Sequence, residues 1–309
     1  MIKSIVDIAP LLANEMKAGD FIRDIRWPNG VQCAHCNHGV VYELKGPNSE
    51  RRQWKCADCR KKFSVTTKSI FEGSHVSLGK WAYAFFIMCS AKKGVSANQL
   101  KRELGISYKA AWFVCHRVRY AMMQEPFASM LGKDRGVVEL DETFVGGKVA
   151  NNKHKDRTER AGKKEIVMTM IERDGNVKTA HVPDTKKKTL QALAKPVVDK
   201  SATIMTDSNL SYEGLNGHFY SHHSVDHSKE YVRSWFIHTN FAESYHSLLK
   251  RGIFGSFHQV SAKHLARYLS EFDYRWNTRH MSDGQRTEGA LGAVTGRRLM
   301  YRKGANSLI

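Results

Sequence analysis

The chain has 309 residues, 41% of them hydrophobic, and its 49 Lys and Arg against 30 Asp and Glu give a formal net charge of +19. That length can bury a sizeable core in two or three domains. The charge favours a polyanionic partner, above all nucleic acid, over a merely basic soluble protein. The longest apolar run, residues 81–91, is far shorter than the ~20 residues of a membrane helix. We therefore expect no membrane span, and since residues 1–7 lack the apolar region of a signal peptide, we expect a cytoplasmic protein.

Residues 1–30 form a predicted N-terminal helical segment, because apolar residues recur there at helical spacing. A zinc ribbon is predicted over residues 31–72, where four cysteines stand in two close pairs separated by 19 residues: Cys33, Cys36, Cys56 and Cys59. Each pair can present two thiolates from one tight turn, and four thiolates complete the tetrahedral shell of one structural Zn²⁺. The alternative is four buried thiols without metal. Residues 40–44 and 51–55 have the composition of hairpin strands between the pairs.

Residues 73–130 are predicted to be a helical region of the helix-turn-helix type. Ser96 is placed to cap a short helix, Gly105 to end it, and Ser107 to cap a second helix. That second helix has one apolar stripe: Ala111, Val114, Val118 and Ala121. Off the stripe lie Tyr108, Lys109 and His116, the candidate DNA contacts, because the second helix of such motifs enters the major groove. A plain helical linker remains the alternative.

Two aspartates mark predicted strands in the remainder of the chain. Asp141 interrupts the otherwise apolar strand pattern of residues 137–145, and Asp207 follows the β-prone residues 202–206. A carboxylate inside a strand is costly unless it has a partner or holds a metal ion. A hairpin around Arg173-Asp174-Gly175 and a helix over residues 185–198 separate the two aspartates. This order predicts a mixed sheet in which their strands are neighbours.

A third carboxylate lies on the predicted helix that begins after His238. Glu243 and Lys250 are seven residues apart, which places both side chains on one side of the helix, about 10 Å apart along its axis. Ala242, Tyr245 and Leu249 form a separate apolar stripe. Glu243 can therefore border a cavity while Lys250 meets an anion, although ordinary solvated charges would show the same pattern.

An Asp in a first strand, an Asp ending a later strand and a Glu separated from it by 35 residues, with Lys seven positions on, resemble the DDE transposases and integrases. The sequences Glu-Leu-Asp-Glu-Thr-Phe-Val-Gly-Gly-Lys at residues 139–148, His-Thr-Asn at 238–240 and Lys-Arg-Gly at 250–252 resemble the ISXO-type transposases of bacterial insertion sequences. The likeness covers about residues 20–280. It implies a nucleoid-associated bacterial protein. One departure is Tyr245-His246, where larger aromatic residues are expected, and we expect it to leave the acidic triad untouched.

The resemblance implies an α/β fold, with an RNase H-like catalytic domain over residues 131–295, followed by a basic tail, 296–309. It implies that Asp141, Asp207 and Glu243 are catalytic, and we add Lys250 as a catalytic residue that meets a phosphate and Arg251 as a DNA contact. Glu139 is the reserve candidate, because it shares a strand face with Asp141 at a period of two.

Three carboxylates offer the hard oxygen ligands that Mg²⁺ prefers, and two such ions suit phosphodiester chemistry. We therefore expect two Mg²⁺ (or Mn²⁺) per active site. The resemblance adds the partners, terminal inverted repeats and target DNA, and joining two ends predicts a homodimer or higher assembly on DNA. The alternatives are a zinc-ribbon DNA-binding regulator with a non-catalytic second domain, and an RNase H-like nuclease without strand transfer.

The basic residues 148–164 could lie on phosphates or form a solvated loop.

Overall fold

The computed structural model describes residues 2–44, 52–123, 129–146, 164–226, 236–297 and 299. Most of the basic loop 148–164 and of the basic tail lies outside these residues. The chain divides into two compact units, one formed by residues 1–122 with 280–309 and the other by residues 123–279. Within the described residues, no helix is long and apolar enough to cross a bilayer.

The first unit begins with three short pieces where the sequence predicted one helical segment. A 3-10 turn at Ile5–Ile8 leads into α1 (Ala9–Ala13) and α2 (Glu15–Arg26). The break has a local cause, because Asn14 adopts an extended backbone and its side chain accepts a hydrogen bond from the Lys17 N–H, which caps α2.

The ribbon that follows has three antiparallel strands, β1 (Val41–Leu44), β2 (Gln53–Cys56) and β3 (Lys62–Ser64). The predicted hairpin corresponds to β1 and β2. The third strand is only three residues long and was not predicted. Trp54 and Phe63 stack with ring centroids 5.8 Å apart, and the edge of Trp27 packs on Trp54 at 5.7 Å. This aromatic cluster gives the small sheet its own core.

The helices α3 (Leu78–Ser90), α4 (Ala97–Leu104), α5 (Tyr108–Met122) and α9 (Asp283–Gly292) complete the described part of this unit. Ser96 accepts a hydrogen bond from the Gln99 N–H at the start of α4, and Gly105 ends that helix at φ 59°, as the pattern predicted. α9 packs against α3 and α2. Residues 280–295, which we expected in the catalytic domain, therefore lie in the first unit, because α9 buries its apolar residues Ala290 and Leu291 there.

The second unit contains β4 (Val137–Val145), β5 (Glu165–Glu172), β6 (Val177–Val182), α6 (Lys187–Val197), β7 (Thr203–Asp207), β8 (Ser221–Val225), α7 (Asn240–Gly252) and α8 (Ala262–Asn277). Its sheet has the order β6-β5-β4-β7-β8, in which β5 is antiparallel to β4 and β6 while β7 and β8 run parallel to β4. This is the RNase H-like arrangement that the sequence predicted.

Two cores cover the two faces of this sheet. Val138 and Leu140 pack with the apolar residues of α6, whereas Val145 packs with those of α7 and α8. Because side chains alternate along a strand, the odd-numbered residues of β4 face α7. This alternation determines which acidic residues of β4 can meet that helix.

Candidate active site

Three carboxylates meet where β7 ends beside β4. β4 and β7 are parallel neighbours with Leu140 paired to Thr206, so Asp141 and Asp207 are the next residues along the two strands. Carboxylate oxygens of Asp141, Glu142 and Asp207 all lie within 4.8 Å of one another. The predicted adjacency of the two aspartate strands is confirmed.

Glu142 was missed as a member of this cluster. Its Oε1 accepts a hydrogen bond from the Tyr212 hydroxyl, and Tyr212 belongs to the core on the α6 side of the sheet. The backbone N–H of Asn209 donates to Asp207 Oδ1 at 3.1 Å and holds that carboxylate in place. A second acidic residue directly after Asp141, and a tyrosine five residues after Asp207, were the available signals.

Burial and mutual repulsion make this cluster a poor place for several negative charges. Burial, together with the charge of Asp207, raises the pKa of Asp141 to about 7. Burial also raises the pKa of Glu142 to about 7, although the Tyr212 hydrogen bond lowers it in part. A cation held between the carboxylates would offset both effects.

His246 lies against the same cluster. Its Nδ1 is 3.5 Å from Asp141 Oδ2, and its Nε2 is 2.9 Å from the hydroxyl of Thr169 on β5. Burial, with a smaller effect of Lys250, lowers the pKa of His246 to about 4, so the ring is neutral near pH 7. His246, one of the two residues of the Tyr245-His246 departure, therefore contacts Asp141 directly, which the sequence did not indicate; Asp141, Asp207 and Glu243 themselves are all present.

Glu243 and Lys250 lie on one side of α7, as their spacing predicted. Both border a cleft of about 660 Å³, whose lining residues are Glu243, His246, Ser247, Lys250, Arg251, Phe254 and Gly255. Glu243 is exposed and is not among the three carboxylates that lie within 4.8 Å of one another. Its negative charge nevertheless contributes to the raised pKa of Asp141.

Glu139, the reserve candidate, lies outside this cluster. Its side chain is fully buried, and its Oε1 is 2.8 Å from Nε of Arg173. Its Oε2 accepts hydrogen bonds from the backbone N–H groups of Phe241 and Ala242 at 2.9 and 3.0 Å. Both oxygens of Glu139 therefore bind groups other than Asp141. The additional acidic residue beside Asp141 and Asp207 is Glu142, not Glu139.

The four ribbon cysteines form a compact set with ligand atoms within 4.8 Å of one another. Sγ of Cys33 is 3.6 Å from Sγ of Cys59, and Sγ of Cys36 is 3.6 Å from Sγ of Cys56. Four sulfurs around one zinc at about 2.3 Å lie about 3.8 Å apart, so the set fits a tetrahedral ion. These four cysteines are the residues that would hold a structural Zn²⁺.

The candidate DNA contacts differ in exposure. Tyr108 is 49% exposed at the start of α5, and Lys109 beside it is also exposed. His116 is only 1% exposed, and its ring lies 4.1 Å from that of Trp112. The expectation that His116 contacts DNA is contradicted, because the buried surface of α5 is wider than its apolar stripe. Arg251 is exposed in the cleft of α7.

Two solved structures resemble this chain weakly. They are a pre-cleavage Mos1 transpososome, with a TM-score of 0.27, and a Mos1 strand transfer complex, with a TM-score of 0.25. Each is 12% identical and covers 69% of this chain and 78% of its own.

The sequence comparisons are more specific. The ISXO2-like transposase domain matches residues 134–277, and the transposase zinc-ribbon domain matches residues 13–62. An uncharacterized protein in the transposable element ISH50 of Halobacterium salinarum is 27% identical over 277 residues, which span 85% of this chain and 90% of that protein. The matched domains contain the acidic cluster and the four cysteines, so the chain carries an ISXO2-like transposase domain preceded by a transposase zinc ribbon.

Proposed function

We propose that this transposase cleaves DNA at the terminal inverted repeats of its insertion sequence and joins the freed 3′-hydroxyls to target DNA. In this proposal Asp141, Asp207 and Glu243 hold two Mg²⁺ or Mn²⁺ ions. The observation that supports it is the gathering of Asp141, Glu142 and Asp207 within 4.8 Å, where β7 ends beside β4.

The donor set suits hard divalent cations. All of its ligand atoms are carboxylate oxygens, and the pKa of Asp141 and that of Glu142 are both raised to about 7 by burial first of all. Glu243 adds a further carboxylate from the cleft side. When bound, the ions lower the pKa of an attacking hydroxyl and stabilise the leaving oxygen of a phosphodiester.

The chain's own residues would then bind and orient the DNA. Lys250 and Arg251 line the same cleft as Glu243, so their charges can hold phosphates beside the carboxylates. His246, neutral and bonded to Thr169, packs on Asp141 and limits the orientations of its carboxylate. Asn209 fixes Asp207 in the same way through its backbone N–H.

End recognition is assigned to the first unit. The zinc ribbon gives a folded platform, and Tyr108 and Lys109 are exposed at the start of α5, where a helix-turn-helix reads the major groove. The net charge of +19 supports contact with a long stretch of DNA backbone. Because two ends must be joined together, we propose a dimer or higher assembly on DNA.

A labelled duplex with the terminal repeat, incubated with the protein and Mg²⁺, tests this function. We expect cleavage at the end of the repeat and a second, joined product when target DNA is added. Cleavage without a joined product would instead identify a nuclease. A light-scattering mass equal to one protein per two joined ends would contradict the proposed assembly.

A further inference from the structure

Glu139 connects the strand of Asp141 to the helix of Glu243. It lies on β4 two residues before Asp141, on the face that α7 covers, and its side chain is 0% exposed. Its two carboxylate oxygens have separate tasks. Oε1 pairs with Arg173 from the β5–β6 hairpin, and Oε2 accepts from the first turn of α7.

The contact with α7 replaces a helix cap. The first N–H groups of any helix have no partner within that helix, and usually a nearby Ser, Thr, Asp or Asn side chain satisfies one of them. The N-cap residue of α7 is Thr239, whose side chain makes no capping hydrogen bond. Glu139 of β4 takes over this capping role: its Oε2 accepts hydrogen bonds from the backbone N–H groups of Phe241 and Ala242 at 2.9 and 3.0 Å. A negative charge at this end of the helix is also favoured by the helix dipole.

Arg173, the ion-pair partner of Glu139, binds the residue that precedes the start of α7. Its Nη2 donates to the backbone carbonyl of His238 at 3.0 Å and lies 3.2 Å from Nδ1 of that histidine. The same Nδ1 lies 3.2 Å from Oε1 of Glu139, so the histidine ring contacts both members of the ion pair. The Glu139–Arg173 ion pair therefore binds the backbone on both sides of the start of α7.

We propose that Glu139 is a positioning residue that fixes α7 against β4 and so sets the distance between Asp141 and Glu243. Glu243 directly follows Ala242, whose N–H is bound by Glu139, and Asp141 lies two residues after Glu139 on one strand. A small shift or rotation of the first turn of α7 would move Glu243 relative to the aspartates. This inference rests on the proposed roles of Asp141 and Glu243 in holding metal ions.

Glu139 is not itself a metal ligand in this proposal. Oε1 lies 2.8 Å from Arg173 Nε, and Oε2 already accepts two backbone hydrogen bonds. A metal ion at Glu139 would have to displace a guanidinium or uncap the helix. The Glu139 carboxylate thus holds α7 and Arg173 in place and does not touch the reacting atoms.

The main test compares Glu139→Gln with a matched control, Glu271→Gln. Glu271 is also fully buried and paired with an arginine, Arg275 on α8. We expect Glu139→Gln to speed amide hydrogen exchange at residues 241 and 242 by at least about tenfold, because the charged acceptor is lost. We expect kcat for end cleavage at saturating DNA, and Mn²⁺ affinity measured by calorimetry, to fall by about tenfold to a hundredfold. Glu271→Gln should lower the unfolding temperature but leave kcat and exchange at these two amides within threefold.

A second variant covers the case in which Glu139→Gln does not fold, because that change leaves the half-buried Arg173 without its carboxylate partner. Glu139→Leu combined with Arg173→Met removes both charges together, which proteins tolerate better than the loss of one. We expect this folded protein to show the same fast exchange and the same loss of Mn²⁺ affinity. Unchanged exchange at residues 241 and 242, or a kcat and Mn²⁺ affinity within threefold of the wild type, would overturn the proposal. Absence of cleavage by the wild type would instead count against the proposed function, since exchange is measured without DNA.

Discussion

Nδ1 of His246 lies 3.5 Å from Oδ2 of Asp141, yet this contact joins a neutral ring to a carboxyl group. Burial first, and then Lys250, lowers the pKa of His246 to about 4, so the ring is uncharged near pH 7. His246 therefore orients Asp141 without offsetting its charge. The carboxylate cluster needs its positive charge from another source, which in this account is a divalent metal ion.

The first prediction concerns the stability of protein that contains zinc but no other divalent metal. The pKa of Asp141 is raised to about 7, so the native state binds more protons than the unfolded chain between about pH 4 and pH 7. The contribution of this group therefore makes stability fall as the pH rises through that range. We expect Asp141→Asn to unfold at a higher temperature than the wild type at pH 8, and to lose this advantage near pH 4, as measured by calorimetry.

His246 acts in the opposite direction, because its lowered pKa makes stability rise with pH between about 4 and 6.5. Both proteins retain His246, so the difference between them isolates Asp141. An Asp141→Asn variant that unfolds at a lower temperature than the wild type at pH 8 would show that the Asp141 charge is already compensated.

The second prediction concerns the carboxylates themselves. Asp141→Asn, Asp207→Asn and Glu243→Gln each preserve size while removing a negative charge, so each should abolish cleavage and leave DNA affinity within a few-fold. Glu142→Gln should reduce the cleavage rate by about tenfold to a hundredfold, since Glu142 borders the two aspartates. Gel-based cleavage and binding assays measure both quantities. Glu213→Gln, an exposed carboxylate of the same unit, is the control and should keep full activity.

The third prediction concerns phosphate binding. With a net charge of +19, the logarithm of the DNA association constant should fall steeply with the logarithm of the salt concentration, by about 0.9 per neutralised phosphate. Lys250→Ala should make this dependence less steep by about 0.9, the effect of one phosphate contact. It should reduce cleavage less than any of the triad changes. A nearly flat salt response of the wild type would argue against extensive contact with the DNA backbone.

The fourth prediction separates the zinc ribbon from catalysis. Cys56→Ser removes one thiolate from a closed four-sulfur shell, and zinc binding is the main source of folding free energy for such a ribbon. We expect this variant to lose zinc, to unfold residues 31–68 and to lose selective binding of the terminal repeat. It should still join pre-cut ends at high DNA concentration, because the carboxylate sheet lies in the second unit.

Zinc content by atomic absorption and joining of pre-cut ends are the two measurements for this prediction. Cys115→Ala is the matched control, since Cys115 is a buried cysteine outside the zinc set and its change should leave zinc content unaltered. Full zinc content in Cys56→Ser, or loss of joining at saturating DNA while the second unit stays folded, would contradict an independent recognition module.

Local patterns were sufficient to predict much of the framework. The turn at Arg173-Asp174-Gly175, the cap at Ser96 and the β-prone run before Asp207 each indicate an element without knowledge of distant residues. The parallel pairing of the Asp141 and Asp207 strands then followed from the order of the elements. Apart from that long-range pairing, these features depend on residues that are close in sequence.

The missed features depend on tertiary contacts. Glu142 joins the aspartates through a core residue, Tyr212, on the opposite side of the sheet from α7, whereas strand alternation alone pointed to Glu139. The actual partners of Glu139 are 34 and 102 residues away. Similarly, His116 is buried by the packing around α5, although its position off the apolar stripe indicated exposure.

The most direct test of this account is a crystal structure of the transposase with Mn²⁺ and a pre-cut terminal duplex, using anomalous scattering to locate the metal. We expect two anomalous peaks about 4 Å apart beside the end of β7, with Asp141 and Asp207 bound to the metal and Glu243 completing the set. The scissile phosphate should lie beside them. Metal peaks that are bound by other residues, or a terminal phosphate placed away from Asp141 and Asp207, would contradict the central claim.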